Sequence, residues 1–136
     1  MTATIATRPL SDSSDSLLRF AMRLDATVTG FLGLGIAAAA DPFAALTGLT
    51  PAQEYAVGGA FVLYGVVVYS LAAMRNVRRT GLGLAAFNAA GTIAAAAVAA
   101  TDVLPLTGFG MAVVLACGVY TAAFAVLQYL GVRRLA

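Results

Sequence analysis

The chain has 136 residues, a formal net charge of +2, 61% hydrophobic residues and only 10% charged residues. Soluble domains average about 25% charged residues, and a chain this short buries its apolar surface poorly in water. The composition therefore excludes an ordinary soluble domain and favours a lipid bilayer as the solvent. There is no His, Trp or Lys, and Cys117 is the only cysteine. These absences exclude His-based triads, His-ligated metals and lysine Schiff bases, so we expect no catalytic site, metal site or cofactor.

The amino-terminal residues are polar, and nothing in them could form a hydrophobic core. We predict a disordered cytoplasmic tail over residues 1–16, followed by a transmembrane domain over residues 17–136. The tail has no apolar segment that ends in a small-residue cleavage site, so it is not expected to be a signal peptide. Ser16 is placed to cap the first helix, and Asp15 is placed to pair with Arg19 one turn later.

Four apolar segments follow, each close to the roughly 20 residues that a membrane-spanning helix needs. None of them alternates polar and apolar residues as the strands of a membrane barrel do. The sequence therefore predicts an all-α polytopic membrane protein with four transmembrane helices arranged as two hairpins. The predicted helices cover residues 17–40, 51–74, 81–100 and 109–130.

Local sequence signals predict where several of these helices begin or end. The Asp-Pro pair at 41–42 is expected to stop the first helix. Thr50 as N-cap, Pro51 at the first helical position and Gln53 three residues after the cap form a predicted capping box. Gly131 is expected to end the fourth helix.

The distribution of arginine predicts the orientation of the chain, because positive charge is retained on the cytoplasmic side during insertion. All eight basic residues are Arg, and the two loops without arginine carry acids instead. We therefore expect a protein of the cytoplasmic membrane with both termini inside, its arginines near anionic headgroups and no nucleic-acid partner. The arginines lie before the first helix (Arg8, Arg19 and Arg23), between the second and third (Arg75, Arg78 and Arg79), and after the fourth (Arg133 and Arg134).

Polar residues inside the predicted helices are the candidate functional residues, because a charge at mid-membrane costs about 3 kcal/mol on insertion scales. One interpretation is a cavity that opens to the cytoplasm, has Asp25 and Asn88 as its polar floor, and binds a small cation or polar ligand. In the other, Asp25 pairs with an arginine of the central loop, while Asn88 and Gln128 bond across helices as packing residues. The four candidates are Asp25, Thr29, Asn88 and Gln128.

Two further features concern the ends and faces of the helices. Asp41, Glu54 and Asp102 lie in the arginine-free loops, where they could gather a divalent cation; we expect them to be solvated, with Glu54 favoured by the helix dipole.

The third helix is mostly alanine and has few large side chains to offer lipid. We therefore expect it to be the helix most enclosed by protein; one hypothesis is that a second subunit contributes to this enclosure.

An offset of 60 residues aligns the two halves of the chain. Leu46-Thr47-Gly48 falls on Leu106-Thr107-Gly108, and Arg19, Gly58 and Tyr69 fall on identical residues. One hypothesis is a duplicated hairpin whose two copies enter the membrane in the same direction. The alternative is convergence on the same small alphabet of apolar residues.

Three segments carry a resemblance to a known group: Leu18 to Gly30 (LRFAMRLDATVTG), Leu46 to Pro51 (LTGLTP) and Phe124 to Arg134 (FAVLQYLGVRR). They resemble small four-helix integral membrane proteins of actinobacteria without an assigned function, loosely similar to the DoxX-like group. The resemblance implies a four-helix membrane protein and carries over no catalytic or binding residue. We expect a non-enzymatic accessory or interaction subunit; the alternative is a small solute or proton-coupled carrier. The two alternatives for its assembly are a homo-oligomer and a subunit of a larger membrane complex.

Overall fold

The computed structural model describes residues 14–135. Over these residues the chain is helical and contains no strand. Four of its five helices, α1, α3, α4 and α5, are long and apolar enough to cross a membrane, which indicates a multi-pass membrane protein and confirms the predicted all-α class. The predicted tail, with Arg8, falls mostly outside the described residues. The helices are α1 (Ser16–Ala38), α2 (Ala40–Thr47), α3 (Pro51–Leu71), α4 (Val77–Thr101) and α5 (Gly108–Arg133).

The start of α1 differs from the predicted cap. Ser16 is the first helical residue and Asp15 occupies the N-cap position, where its side chain makes no capping hydrogen bond. The Asp15 carboxylate instead accepts a hydrogen bond from Arg19 Nε at 2.8 Å. The predicted Asp15–Arg19 pair is therefore confirmed, and the predicted cap by Ser16 is wrong.

The short helix α2 was not predicted. Helix α1 ends at Ala38, close to the expected stop, but Asp41 and Pro42 lie in the first turn of α2 rather than in a loop. Proline is tolerated there, because first-turn N–H groups have no partner within the helix. Gly48 follows α2 with φ 88°, a left-handed conformation, and a Cβ at this position would collide with the Pro105 carbonyl oxygen.

Helix α3 begins with the predicted capping box. The Thr50 hydroxyl accepts a hydrogen bond from the Gln53 backbone N–H at 3.3 Å, and Gln53 Oε1 accepts one from the Thr50 N–H at 2.8 Å. Pro51 occupies the first helical position. The prediction is confirmed because these signals act within a single turn and need no tertiary contact.

Helix α3 ends at Leu71, before the predicted end at residue 74. The guanidinium of Arg19 lies beside this end and donates to the carbonyl oxygens of Ala72, at 2.7 Å, and Met74, at 3.0 Å. Carbonyls at a helix end lack partners within the helix, and a cation there is favoured by the helix dipole. Arg19 thus satisfies the turn that follows α3 and ties it to the start of α1.

The last two helices are longer than predicted. Helix α4 begins at Val77, and α5 continues through Gly131 to Arg133. Gly131 does not stop α5; it is buried, and a Cβ on it would lie 2.9 Å from the Leu18 Cα. This glycine permits close approach of α1, a role that its position in the sequence does not distinguish from a helix stop.

The helices form two hairpins. Helix α1 packs most extensively on α3, and α4 on α5, while the two hairpins meet chiefly through α1 and α5. We call the end that contains the starts of α1 and α4 and the ends of α3 and α5 the arginine end, and the opposite end, with α2, the far end. The buried apolar core lies towards the arginine end and consists of Leu18, Met22, Ala26, Val68, Ala72, Val77, Leu84 and Val132.

The expectation that the third membrane helix is the most enclosed is wrong. In its most apolar 18-residue window, 17% of residues are buried, against 33% for α1. The alanine side chains of α4 are too small to reach across to α1 or α3, so most of its second half stays exposed to the surroundings. Ile93, in this half, is 71% exposed.

The two segments aligned by the 60-residue offset coincide with the two hairpins. The matching tripeptides also contact each other at the far end: the Thr107 N–H donates to the Thr47 carbonyl oxygen at 2.9 Å, and the Thr107 hydroxyl donates to the Leu46 carbonyl oxygen. These bonds join the end of α2 to the start of α5. The duplication itself stays a prediction.

Candidate functional site

A buried carboxylate lies well inside the helix bundle. Asp25 is fully buried in α1, nine residues after its first residue Ser16, which is about 14 Å along the helix axis at 1.5 Å per residue. Asn88 lies eleven residues into the 25-residue α4, close to its middle. The site therefore lies near the middle depth of the helices and not at their ends.

One carboxylate oxygen of Asp25 receives hydrogen bonds from three other helices. Asp25 Oδ2 accepts from the Tyr64 hydroxyl of α3 at 2.7 Å, from Asn88 Nδ2 of α4 at 2.9 Å and from Gln128 Nε2 of α5 at 2.9 Å. Asn88 Nδ2 also donates to Gln128 Oε1 at 3.0 Å. Asp25 thus connects both hairpins through a single oxygen atom.

The other oxygen is held by two hydroxyl groups. Asp25 Oδ1 accepts from Tyr120 at 3.1 Å and from Thr29, one turn along α1, at 3.3 Å. All five donors to the carboxylate are uncharged. The arrangement complements an ionised carboxylate, which only accepts hydrogen bonds. We call Asp25 and its five donors the Asp25 cluster.

No arginine joins this cluster among the described residues, where the ion pair present is Asp15–Arg19. The expected pairing of Asp25 with the central loop is therefore wrong, because five neutral donors take the place of a cation. The predicted topology-determining arginines other than Arg19 are exposed at the arginine end: Arg23, Arg75, Arg78, Arg79, Arg133 and Arg134.

A cavity of about 1070 Å³ extends from the Asp25 cluster. Its lining continues along α1 to Ile36, reaches Phe43 of α2, and includes Val113 and Cys117 in the first half of α5. These residues lead towards the far end. The cavity therefore occupies the half of the bundle without arginine, whereas the sequence interpretation placed its opening on the arginine side.

The cavity wall is largely aromatic and aliphatic. Of the seven Phe and five Tyr residues in the chain, four Phe and two Tyr line the cavity. The Tyr64 and Phe87 rings stack with centroids 5.6 Å apart and planes inclined by 22°, and the Tyr64 hydroxyl belongs to the Asp25 cluster. Polar groups are thus concentrated at one end of an apolar chamber. The six aromatic lining residues are Phe31, Phe43, Phe61, Tyr64, Phe87 and Tyr120.

The structure brings together all four residues proposed from the sequence, namely Asp25, Thr29, Asn88 and Gln128. Sequence reasoning missed Tyr64 and Tyr120. A signal was available, because tyrosine in membrane helices concentrates at the lipid–water interfaces, and both of these tyrosines lie far from the ends of their helices.

The acids at the far end have different environments. Glu54 is 2% exposed, and its Oε1 accepts a hydrogen bond from the Thr47 hydroxyl at 2.5 Å. Its expected solvation is therefore wrong, because α2 folds over the first turn of α3. Asp41 and Asp102 are exposed. Among residues 14–135, no group of three or more His, Cys, Asp or Glu side chains is placed to hold a metal ion.

No family model matches the chain, and no curated protein or solved structure is significantly similar to it. The resemblance to the DoxX-like group accordingly stays a prediction.

Proposed function

We propose that this chain is a small-solute carrier that binds its solute in the cavity between the two hairpins. One observation carries the proposal: a cavity of about 1070 Å³ extends from a buried carboxylate near the middle of the helices into the half of the bundle without arginine. Protein pockets that bind small molecules usually have volumes of roughly 300–1,000 Å³, with mostly apolar walls and a few polar groups. The proposed role is non-enzymatic, since the cluster contains no nucleophile paired with a general base.

Movement of one hairpin against the other would supply alternating access. In carriers built from repeated halves, the solute site lies near the membrane midplane and one repeat rocks against the other. Here the hairpins meet on the arginine side of the cavity, where Leu18 packs closely against Gly81 and Gly131. Opening this contact would expose the Asp25 cluster to the arginine side, and release of the Thr47–Thr107 contact would expose it to the far side.

The single cysteine provides a test without an engineered reporter. Cys117 lines the cavity, so a carrier should expose its thiol to water from each side of the membrane in turn. We expect a membrane-impermeant maleimide to label Cys117 both in intact cells and in inside-out vesicles. Labelling from one side only, or from neither, would contradict the carrier proposal.

A matched control lies two residues further along the same helix. Val119 is 72% exposed on the outer surface of α5, where lipid would surround it. In a Cys117→Ala background, Val119→Cys should resist the same reagent, because a thiol in hydrocarbon does not form the reactive thiolate. Equal labelling of both positions would mean that the reagent reaches lipid-facing thiols as readily as cavity thiols, because of general unfolding or detergent access. Labelling of Cys117 would then no longer support a water-accessible cavity.

An accessory or interaction subunit is the second candidate, and one observation favours it. The second half of α4 exposes small side chains, including Ala94, Ala97 and Ala100. In lipid, small residues allow two helices to approach closely and pack. If this face holds a second copy or another membrane protein, Ala97→Trp should dissociate a complex that wild-type protein retains in mild detergent. A monomeric wild-type protein would remove this candidate.

We further propose that the chain lies in the cytoplasmic membrane with both termini inside. The support is that every described arginine lies at the arginine end, where anionic headgroups of the inner leaflet would attract guanidinium groups. A carboxy-terminal alkaline phosphatase fusion should be inactive, and a green fluorescent protein fusion fluorescent. The opposite result would place the far end inside the cell.

A further inference from the structure

We infer that the solute is an organic ammonium ion with a single positive charge and an apolar body. This inference rests on the proposed cavity function and names the chemical class of its ligand. Three observations support it: the charge of the carboxylate, the direction of the hydrogen bonds around it, and the character of the cavity wall.

The first observation is that the negative charge has no protein counter-ion. Asp25 is fully buried, and the described residues pair it with no arginine. An ionised group inside a membrane protein is costly unless it is paired, and such groups commonly mark the path of a charged substrate or ion. Five hydrogen bonds lower that cost but leave the net charge in place. A cation in the adjoining cavity would neutralise it.

The second observation is the direction of the hydrogen bonds. The hydroxyl groups of Tyr64, Tyr120 and Thr29 each have one proton, and each can donate it to Asp25. Each oxygen still has lone-pair capacity for a ligand, because all three residues also line the cavity and Tyr64 accepts one further bond, from Asn88 Nδ2 at 3.4 Å. A hydroxyl that donates to a carboxylate becomes a better acceptor.

Asn88 extends the same pattern. Its Nδ2 donates to Asp25 and to Gln128 Oε1, which leaves its side-chain carbonyl oxygen as an acceptor on a cavity-lining residue. The polar end of the chamber therefore presents acceptors and a negative charge. An ammonium group, with several N–H donors and a positive charge, complements this surface. A carboxylate or phosphate would meet acceptors and like charge.

The third observation is the wall beyond the cluster. The stacked rings of Tyr64 and Phe87 stand beside the carboxylate, and Phe61 and Phe31 continue the wall. Aromatic faces attract cations within about 6 Å of the ring centroid. Beyond them, the mostly apolar lining suits a hydrocarbon body. A bare inorganic cation would leave most of the chamber without a favourable contact.

Three probes of almost identical shape would test the inference: 1-adamantylammonium, neutral 1-adamantanol and anionic adamantane-1-carboxylate. Each would be titrated calorimetrically into the full chain in lipid nanodiscs, with the heat from empty nanodiscs subtracted. We expect the ammonium ion to bind at least about tenfold more tightly than the alcohol, which is 1.4 kcal/mol, and the carboxylate not to bind.

Asp25→Asn should lower ammonium affinity by about tenfold or more and leave alcohol affinity within about twofold, because it removes the charge and keeps the side-chain shape. If this variant does not fold, Tyr64→Phe provides a second test, since it removes one acceptor and keeps the aromatic ring. We expect it to weaken ammonium binding by at least about threefold. Tyr69→Phe, an exposed tyrosine of the same helix outside this cavity, is the matched control and should not change it.

The outcomes separate the two proposals. Equal binding of ammonium and alcohol to wild-type protein would overturn the ammonium inference and leave the carrier proposal standing, because the cavity would then be a neutral apolar site. Absence of binding by all three probes would overturn the inference; if Cys117 were also unreactive from either side, the carrier proposal would fall with it. An ammonium preference that survives Asp25→Asn would also overturn the inference.

Discussion

The two halves of this bundle are built from similar apolar residues but are packed differently. Towards the arginine end, Leu18, Met22 and Val132 are buried and fill the space between the hairpins. Towards the far end, the hairpins enclose a cavity, and the α4 residues beyond Asn88, which are mostly alanine, contribute nothing to its lining. Because large aromatic side chains also line the cavity, neither hydrophobicity nor side-chain size alone separates the solid half from the open half. The Asp25 cluster lies at their boundary.

The boundary position explains how a polar cluster is tolerated in such an apolar chain. On the arginine side, close packing at Gly81 and Gly131 holds the helices that carry its donors. On the far side, the cavity leaves hydroxyl oxygens accessible. In the proposed carrier, the rigid half would position the polar groups and the open half would admit the ligand, as in a preorganised binding site.

The largest effect is expected from removal of the Asp25 carboxylate, which lies at the boundary between the two halves. Asp25→Leu removes the shared acceptor of five donors, and the amides of Asn88 and Gln128 then remain buried without that partner. A buried donor left unsatisfied costs about 1–3 kcal/mol, so we expect the free energy of unfolding to fall by about 3–4 kcal/mol. Unfolding in increasing SDS, followed by circular dichroism, measures this change. Asp41→Leu, at an exposed acid, is the control; a fall below about 1 kcal/mol for Asp25→Leu would show that the cluster contributes little.

The next effect compares packing in the two halves directly. Gly131→Val places new atoms against the Leu18 backbone, where even a Cβ would lie 2.9 Å from Cα. Overpacking costs typically 1–3 kcal/mol, and we expect about 2–3 kcal/mol in the same assay. Ala116→Leu adds a larger side chain in the wall of the cavity and should change stability by less than about 0.5 kcal/mol. Equal losses at both positions would mean that the far half is as tightly packed as the arginine half.

The sequence was sufficient to predict the four membrane helices, because length and apolar composition decide that property segment by segment. It was also sufficient for the capping box at Thr50, which is closed within one turn. The end of α3 was missed because the Arg19 guanidinium, from another helix, caps the carbonyl groups there. The passage of α5 through Gly131 was missed for the same reason, since its neighbour Leu18 is distant in sequence.

The candidate site was predictable in its membership but not in its surroundings. Polar residues within membrane helices need partners, so a meeting of Asp25, Asn88 and Gln128 could be anticipated from their positions alone. The donors Tyr64 and Tyr120 lie in mid-helix, where tyrosine is unusual in membrane proteins, but this position alone does not identify the acid to which each hydroxyl donates. The direction of the cavity depends on how side chains from all five helices pack together, and no local pattern records that packing.

A smaller effect is expected at Arg19, which links the start of α1 to the turn after α3 at the arginine end. Arg19→Met keeps much of the side-chain length but removes the hydrogen bonds to the Ala72 and Met74 carbonyls and the pair with Asp15. Because Arg19 is partly exposed, we expect a loss of about 1–1.5 kcal/mol, below the range for fully buried charged hydrogen bonds. Arg23→Met, at an exposed arginine of the same helix, should be neutral within about 0.5 kcal/mol. If both substitutions have the same effect, loss of positive charge is responsible and the carbonyl contacts are not.

The smallest effect is expected at the far end, where Thr107 contacts the other hairpin. The Thr107 hydroxyl caps α5 by accepting the Gly110 N–H at 3.0 Å, and it also donates to the Leu46 carbonyl of the other hairpin. Thr107→Val should lower stability by about 1 kcal/mol, the usual loss for an N-cap, whereas Thr101→Val at the exposed end of α4 should have almost no effect.

Thr107→Val should also speed thiol labelling of Cys117 from the far end, because it loosens the contact that joins the hairpins beside the cavity. A stability loss without faster labelling would indicate that Thr107 acts only as a helix cap and that the cavity is gated elsewhere.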